Sequence, residues 1–329
     1  MARVFSGIQP TGDLHLGNYL GALRQFTRDQ HDHDAVFCIV DLHALTVPQD
    51  PHELGRRTLD TARVHLAAGL DPSVCTLFVQ SHVHEHAELS WLMECTASVG
   101  ELRRMTQFKE KADKAPEQEF VAAALFTYPA LMAADILLYG ADRVPVGADQ
   151  RQHLELARDL AVRFNHRFGD TFVVPAAAVP TVGARIMDLQ RPTEKMSKSA
   201  VSPQGTVGLL EDPASIARKI RRAVTDTEVE VRYDPEAKPG VSNLLTILGA
   251  ATGEDPTELA RRYRQYGELK VDCAEAVVAL LEPIQARYAE LAADPSGTAA
   301  VLAEGAAKAR AIAAPVLERA RAAVGLLPR

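Results

Sequence analysis

The chain is short of cysteine pairs and of long apolar runs, and both shortages exclude classes of protein. Its cysteines, Cys38, Cys75, Cys95 and Cys273, are widely spaced and form no CxxC pair, so neither a zinc nor an iron–sulfur site is indicated. They predict small buried side chains in a reducing compartment. No apolar run approaches the roughly 20 residues that a membrane-spanning helix needs. The first apolar stretch begins at Val4, which leaves no room for a signal or transit peptide, and the chain is therefore expected to be cytoplasmic with no membrane contact.

Positive charge is outnumbered by negative charge, with 36 Lys and Arg residues against 43 Asp and Glu residues. The net charge of −7 argues against a protein that grips nucleic acid nonspecifically by neutralising phosphates, although a selective RNA partner could still bind a local basic face. The remaining composition, with 47% hydrophobic and 24% charged residues, is that of an ordinary globular chain that can bury a full core. At 329 residues, about two domains are expected.

Histidine is the one residue type that suggests a metal. His82, His84 and His86 alternate in the run HVHEH, and in a strand they would share one face. Because the run follows a strand-like stretch and precedes a helical one, we expect a loop there and no metal site. The run HDHD at 31–34 is likewise expected to be a polar loop between a helix and a strand.

Short apolar runs alternate with longer amphipathic runs in the first part of the chain, which is the pattern of βαβ units and of a parallel sheet with helices on both faces. The predicted strands are residues 4–8, 35–40, 74–79 and 143–146. The predicted helices are residues 18–30, 51–69, 85–99 and 128–138, with another beginning at the GADQ run at 147–150.

From residue 212 onward the chain is a succession of helical stretches rich in Ala, Leu, Arg and Glu, broken at Pro and Gly. No strand is predicted beyond about residue 182, and the Ala-rich tail at 298–324 is predicted as one long helix or two. The sequence therefore predicts an α/β domain followed by an all-helical domain.

Two short runs carry chemistry. PTGDLHLGN at 10–18 leads from a predicted strand through a glycine turn into a helix, whose N-terminal N–H groups and dipole can hold an anion. KMSKS at 195–199 puts Lys195 and Lys198 in a polar loop, within reach of one polyphosphate. Taken alone, the first run could be an ordinary capped turn without a function, and the second could be a solvated basic loop. Together, in this order and with a nucleotide-binding type of fold between them, they favour catalysis.

With GADQRQH at 147–153, these runs resemble the signatures of the class I aminoacyl-tRNA synthetases, and the resemblance covers nearly the whole chain. It implies a Rossmann-type catalytic domain at 1–200, a helical anticodon-binding domain at 201–329, and a homodimer. Such an enzyme brings a carboxylate against the α-phosphorus of ATP and expels pyrophosphate. Since the nucleophile is already an anion, catalysis rests on positioning and on charge stabilisation at the phosphates. No Ser/His/Asp or Cys/His triad is evident.

The resemblance assigns the ATP site. Gly17 gives close approach to the nucleotide without a side chain, and Asn18 stands where the common motif has His, a variation associated with the tryptophan branch. The residues at 147–149 would hold the ribose, and the lysines would follow the pyrophosphate with its Mg²⁺, which the phosphates carry. The expected ATP-binding residues are Gln9, Pro10, Thr11, Gly17, Asn18, Gly147, Ala148, Asp149, Ile186, Lys195, Met196, Ser197, Lys198 and Ser199. The expected catalytic residues are Lys195, Lys198, Lys111, His15 and Asn18.

The run YPALMAADILLY at 128–139 resembles the specificity helix of the bacterial tryptophanyl-tRNA synthetases. The tyrosyl branch typically has Gln in place of Met132, and a thioether suits a flat apolar indole better than a phenol. Asp135, one helical turn further, could accept a hydrogen bond from the indole N–H; the plain reading is a carboxylate on a helix surface. The expected L-tryptophan residues are Asp135, Met132, Tyr128, Gln150, Phe5, Gly7, His43, Val144 and Val146.

The resemblance implies that the enzyme activates L-tryptophan with ATP and transfers it to tRNA(Trp), yielding AMP and pyrophosphate. Tyrosine activation is an alternative that Met132 disfavours. A further alternative is a synthetase paralogue that acts as a regulatory or RNA-binding partner without charging tRNA. Such a paralogue would be expected to have damaged signatures, whereas KMSKS and GADQ are intact here.

Overall fold

Three parallel strands form the central sheet. In the computed structural model, strand β1 (Arg3–Ile8) pairs with β2 (Asp34–Ile39), and β2 pairs with β3 (Thr76–Val79). All of β3 and all but the first residue of β2 are buried, as expected for strands covered on both faces. The α/β class and these three predicted strands are confirmed. The structure describes residues 1–10, 13–105, 122–145, 147, 150–176, 184–197 and 202–328.

The fourth predicted strand, at 143–146, is wrong as far as the structure describes it. Arg143 forms a single parallel bridge with Val4 on the free side of β1. Pro145 has no N–H to donate to a ladder, which limits the pairing. Val146 lies outside the described residues. The chain thus runs from β1 through β2 to β3 in one direction and later returns to the opposite side of β1.

Helical segments connect the three strands, and further helices come after β3 in the sequence. The helix that begins at Pro51 is capped by Asp50, whose side chain accepts a hydrogen bond from the N–H of His52. The segments are α1 (Leu16–Asn18), a π-helical turn (Tyr19–Leu23), α2 (Arg24–Asp32), α3 (Asp41–Ala44), α4 (Pro51–Ala67), a 3-10 turn (Gln80–His82), α5 (Glu85–Thr96), α6 (Val99–Arg104), α7 (Ala124–Leu138) and α8 (Arg151–Phe168).

Both histidine-rich runs differ from the predicted loops. In HDHD, His31 belongs to α2 and Asp34 already begins β2, so a single residue separates helix and strand. In HVHEH, His82 ends the 3-10 turn and His86 lies in the first turn of α5, fully buried. The polar character of these runs suggested solvent, but buried partners elsewhere in the chain satisfy the His86 ring.

The predicted helix at 85–99 is confirmed as far as Thr96, and a separate helix begins at Val99. The Ser98 side chain accepts a hydrogen bond from the N–H of Glu101, and the Glu101 carboxylate accepts one from the N–H of Ser98. This reciprocal capping box starts a new helix at Val99. Glu101 also pairs with Arg163 of α8, and that contact lowers the pKa of Glu101 to about 2.

The second half is helical, as predicted. Within residues 184–197 and 202–328 the structure shows isolated bridges and no further strand. The predicted breaks at Asp-Pro pairs are helix starts capped by Asp212, Asp255 and Asp294, and the tail forms one helix. The segments are a 3-10 turn (Pro203–Gly205), α9 (Pro213–Arg221), α10 (Pro239–Thr252), α11 (Pro256–Ala260), α12 (Tyr266–Ala293) and α13 (Pro295–Ala323).

Alternate strand residues divide the interior into two cores. Phe37, Ile39 and Leu77 belong to a core that extends to α10 and α12. Their neighbours in the strands, such as Val36 and Phe78, belong to a second core with α5, α7, α8 and α13. This division follows from the period of two in a strand, which sends successive side chains to opposite faces. A search of the described helices finds none whose apolar stretch could span a bilayer.

The last helix returns to the sheet. Helix α13 packs against β3 and α5, and Ala309, Ala313 and Leu317 lie in the second core. Close approach is possible because α13 presents Gly305 to the backbone of Leu77 in β3. The division at residue 200 stays a prediction, but contacts of the final helix extend to the N-terminal sheet.

The contact between α13 and β3 predicts a strong effect of Gly305→Ala. A Cβ at Gly305 would overlap the carbonyl oxygen of Leu77, which as backbone cannot rotate away. We expect a loss of about 2 kcal/mol or more in the free energy of unfolding, by analogy with overpacked cores. Gly267→Ala in α12 is the matched control, since no atom lies within 4 Å of its Cβ position. Equal melting temperatures for the two variants would contradict this packing.

Candidate active site

Polar side chains collect where the three parallel strands end. Gln9 follows β1, His43 lies on α3 directly after β2, and Gln80 follows β3. Because the Arg143 segment lies on the opposite side of β1 from β2, the strand order reverses at β1. In open α/β sheets, ligands bind in the crevice at the carboxyl ends of the strands next to such a reversal. Two of the expected site residues, Gln9 and His43, lie at this edge.

Backbone pairing joins the first signature to the segment that follows the second. The Leu16 N–H donates to the carbonyl of Val207 at 2.9 Å, and the Leu209 N–H donates to the carbonyl of Leu14 at 2.9 Å. His15 and Gly208 form the antiparallel bridge between these bonds. A Cβ on Gly17 would lie 3.6 Å from the Cβ of Met196. The structure thus brings Gly17 of the first signature close to Met196 of the second, 179 residues further along the chain.

Asn18, which stands where the common motif has His, stabilises the start of α1. The Asn18 side-chain oxygen accepts the N–H of His15 at 3.1 Å, and the Asn18 N–H donates to the carbonyl of His15 at 2.8 Å. The His15 ring is buried. A structural capping role for Asn18 is therefore present beside its predicted role in binding phosphate.

The second signature begins on a tight antiparallel hairpin. Met187 bridges Lys195, and the Met196 N–H donates to the carbonyl of Ile186 at 3.0 Å. The side chains of Ile186 and Met196 are buried, whereas Lys195 is exposed. The carbonyl of Ser197 accepts the hydroxyl of Thr206 at 3.1 Å. Lys195 is thus free to reach a ligand from a backbone that is held in place.

A side chain of helix α10 holds this hairpin through hydrogen bonds to its backbone. The Asn243 amide donates to the carbonyl of Met187 and accepts the Met187 N–H, both at 2.9 Å. Asn243 is buried, and Met187 is the residue that bridges Lys195. One side chain of the helical part therefore holds the backbone on which the KMSKS run begins.

The expected specificity carboxylate is buried, and three side chains hold it. Asp135 Oδ1 lies 2.7 Å from Gln80 Nε2 and 2.6 Å from His86 Nδ1, and Oδ2 lies 2.7 Å from His43 Nε2. Burial alone would raise the pKa of Asp135, but the contacts with His43 and His86 outweigh it and lower the pKa below its usual range. The plain reading of Asp135 as a carboxylate on a helix surface is wrong. Its role in reading an indole stays a prediction.

Aromatic rings line the same region. The Tyr128 ring meets His43 edge-on at 6.1 Å between centroids, and its hydroxyl lies 2.7 Å from His153 Nε2. Burial raises the pKa of Tyr128 to about 12. Phe5 stacks on the ring of Tyr139 at 5.2 Å. These contacts place Tyr128, His43 and Phe5 around the Asp135 cluster.

The other predicted pocket residues occupy element ends and the second core. Met132 is partly buried against that core, and Val144 is buried within it. A Cβ at Gly7 would lie 2.9 Å from a methyl group of Val40, so the close strand packing requires glycine there. Gln150 starts α8, and its N–H donates to the carbonyl of Gly147 at 2.9 Å. The predicted site residues that lie outside the described ones are Thr11, Lys111, Val146, Ala148, Asp149, Lys198 and Ser199.

Sequence reasoning missed several residues of this region. Gln80 carried a usable signal, because it directly follows a buried strand at the edge where sites form. His86 was considered only as a metal ligand or a loop residue. Asn243 and His153 gave no local signal of their contacts. Among the residues that the structure describes, no group of three or more His, Cys, Asp or Glu side chains could hold a metal ion.

Known proteins resemble this chain over its whole length. The family model for class I tRNA synthetases (W and Y) matches residues 1–288. "Tryptophan--tRNA ligase 1" of Streptomyces coelicolor is 57% identical, with 100% of this chain and 98% of that protein covered. "Tryptophan--tRNA ligase" of Mycobacterium leprae is 54% identical, with 100% and 97% covered.

Solved structures agree with these relatives. The tryptophanyl-tRNA synthetase of Mycoplasma pneumoniae superposes with a TM-score of 0.91 at 38% identity, covering 99% of this chain and 98% of that one. The Campylobacter jejuni enzyme, complexed with ADP and tryptophan, gives a TM-score of 0.84 at 35% identity, covering 98% and 100%. The chain therefore belongs to the class I tRNA synthetases for tryptophan and tyrosine, among relatives that are tryptophan–tRNA ligases.

Proposed function

We propose that this chain joins L-tryptophan to tRNA(Trp) in two steps in the cytoplasm. The carboxylate of tryptophan attacks the α-phosphorus of ATP to give tryptophanyl-adenylate and pyrophosphate, and a terminal ribose hydroxyl of the tRNA then takes the aminoacyl group and releases AMP. The observation that supports the proposal is the backbone pairing of residues 14–16, in the first signature, with residues 207–209, which follow the second signature. The Campylobacter jejuni complex with ADP and tryptophan supports it.

Activation needs positioning and charge rather than a base, because the nucleophile is already ionised. Lys195 and Lys198 would stabilise the pyrophosphate as it separates, with Lys111 and with Mg²⁺ that enters on the ATP phosphates. His15, Asn18 and the glycine turn would approach the phosphates at the helix start. The adenosine would rest on Gln9, Pro10, Thr11, Gly17, Gly147, Ala148, Asp149 and Ile186.

Tryptophan recognition would depend on one polar contact in an aromatic and aliphatic pocket. Asp135 would accept the indole N–H, a group that only donates. Met132 would pack on the indole, and Tyr128 and Gln150 would hold the α-ammonium. Phenylalanine offers no donor to the buried carboxylate, and sites built on such a bond reject the wrong substrate strongly. The pocket walls would be Phe5, Gly7, His43, Val144 and Val146.

A homodimer is part of this proposal. Ala87, Trp91 and Cys95 are exposed at intervals of four along α5 and form one stripe, and Trp91 is 65% exposed. Val162 of α8 is also exposed, beside the Arg163 that contacts the end of α5. Exposed apolar surface of this kind marks a protein interface.

The Lys195 substitution tests the role of the second signature. Lys195→Ala is expected to slow adenylate formation by about a hundredfold, since one lost donor to developing charge has effects of that size. The dissociation constant for tryptophan should change little, because the charge acts as the pyrophosphate leaves. Lys198→Ala should behave alike. Pre-steady-state kinetics showing a normal activation rate with weakened tryptophan binding would refute this role.

The Asp135 substitution tests the substrate assignment. The indole ratio is defined here as kcat/KM for tryptophan divided by kcat/KM for the benzothienyl analogue, in which sulfur replaces the ring N–H, both measured by ATP–pyrophosphate exchange. Asp135→Asn keeps an acceptor of the same shape but loses the charge, so the indole ratio should fall about tenfold or more. The exposed Asp170→Asn is the matched control. An unchanged indole ratio in Asp135→Asn would remove Asp135 from recognition.

The dimer is tested at Trp91. Trp91→Glu places a charge in the exposed stripe of α5 and should shift the protein from dimer to monomer in sedimentation velocity, because an interface core tolerates an unpaired charge poorly. Val229→Glu is the control, since Val229 is 72% exposed in another part of the chain. A monomeric wild type, or a Trp91→Glu protein that remains dimeric, would contradict the proposed interface.

A further inference from the structure

His86 holds Asp135 from the side opposite to His43 and was not part of the predicted pocket. Its ring is fully buried in the first turn of α5. Nδ1 lies 2.6 Å from Asp135 Oδ1, and Nε2 lies 2.7 Å from the hydroxyl of Tyr139. A carboxylate only accepts, so the Nδ1 of His86 carries the proton and donates it.

Tyr139 fixes the other end of this ring. Burial raises the pKa of Tyr139, so its hydroxyl keeps its proton, and this hydroxyl forms a hydrogen bond of 2.7 Å with Nε2 of His86. The Tyr139 ring is itself packed between Phe5, at 5.2 Å, and Phe78, at 5.6 Å. Tyr139, His86 and Asp135 therefore form a chain of hydrogen bonds whose geometry is set by packing.

The two oxygens of Asp135 are used unequally. Oδ1 accepts from both Gln80 and His86, whereas Oδ2 accepts from His43 among the side chains that the structure describes. A carboxylate oxygen has two lone-pair positions, so the contacts on Oδ1 fill it and Oδ2 keeps one position. That position lies on the same oxygen as His43, which is an expected wall of the tryptophan pocket.

We propose that His86 is a positioning residue for tryptophan recognition: together with Tyr139 it occupies Oδ1 of Asp135 and so presents Oδ2 to the indole N–H. This inference rests on the proposed function, in which Asp135 reads the indole nitrogen. His86, a histidine of the HVHEH run, would thus act on specificity through Asp135 and without contacting the substrate.

A matched pair of substitutions tests the position of the donor. His86→Asn places an amide nitrogen close to the former Nδ1, and His86→Gln places one close to the former Nε2. The indole ratio should stay within about threefold of wild type in His86→Asn and fall about tenfold or more in His86→Gln, since a hydrogen bond to a charged group typically contributes effects of this size. KM for ATP should be unchanged in both. His84, whose side chain is 58% exposed in the same run, is the control, and His84→Asn and His84→Gln should leave the indole ratio unchanged.

The outcomes separate this inference from the proposed function. Equal indole ratios in His86→Asn and His86→Gln, with Asp135→Asn lowering the ratio, would overturn the role of His86 and leave the recognition by Asp135 intact. An unchanged ratio in Asp135→Asn would overturn both. If thermal unfolding shows that a His86 variant does not fold, Tyr139→Phe decides: it removes only the hydroxyl, so the ratio should fall severalfold, and an unchanged ratio would overturn the inference.

Discussion

The buried carboxylate of Asp135 places a strong electrostatic demand on this structure. A charge removed from water carries a penalty of several kcal/mol unless it is paired and hydrogen-bonded. Its partners come from separate parts of the chain: His43 follows β2, Gln80 follows β3, and His86 lies on α5. These elements must meet at the carboxyl edge of the sheet for the charge to be tolerated. The first signature, which follows β1, is thereby placed at the same edge.

A second constraint links the two halves of the chain through backbone groups. Residues 14–16 pair with 207–209, and Asn243 of α10 holds Met187, which bridges Lys195. The start of the KMSKS run therefore has contacts on both sides, with the first signature and with the helical part. This arrangement joins the position of Lys195 to the packing of α10. The described structure thus connects the backbone at Lys195 to α10 through the hydrogen bonds of Asn243 with Met187.

Local signals explain what the sequence could predict. The strands and helices follow from the periods of two and 3.6, and Asp-Pro pairs mark where helices begin, as at Asp212 and Asp294. Burial of His86 could not be predicted from its own neighbours, since its partners Asp135 and Tyr139 lie 49 and 53 residues further along the chain. The pairing of 14–16 with 207–209 left no local pattern either. The resemblance named the candidate site residues, and the structure supplied the contacts between them.

Amino-acid-dependent ATP–pyrophosphate exchange, measured with each of the twenty amino acids, tests the central claim most directly. Tryptophan alone should support rapid exchange, and tyrosine and phenylalanine should be slower by about 10⁴-fold or more in kcat/KM, because neither offers the indole N–H that the proposal assigns to Asp135. Exchange with tyrosine as efficient as with tryptophan would contradict the substrate assignment. Absence of exchange with every amino acid would contradict the assignment as a ligase.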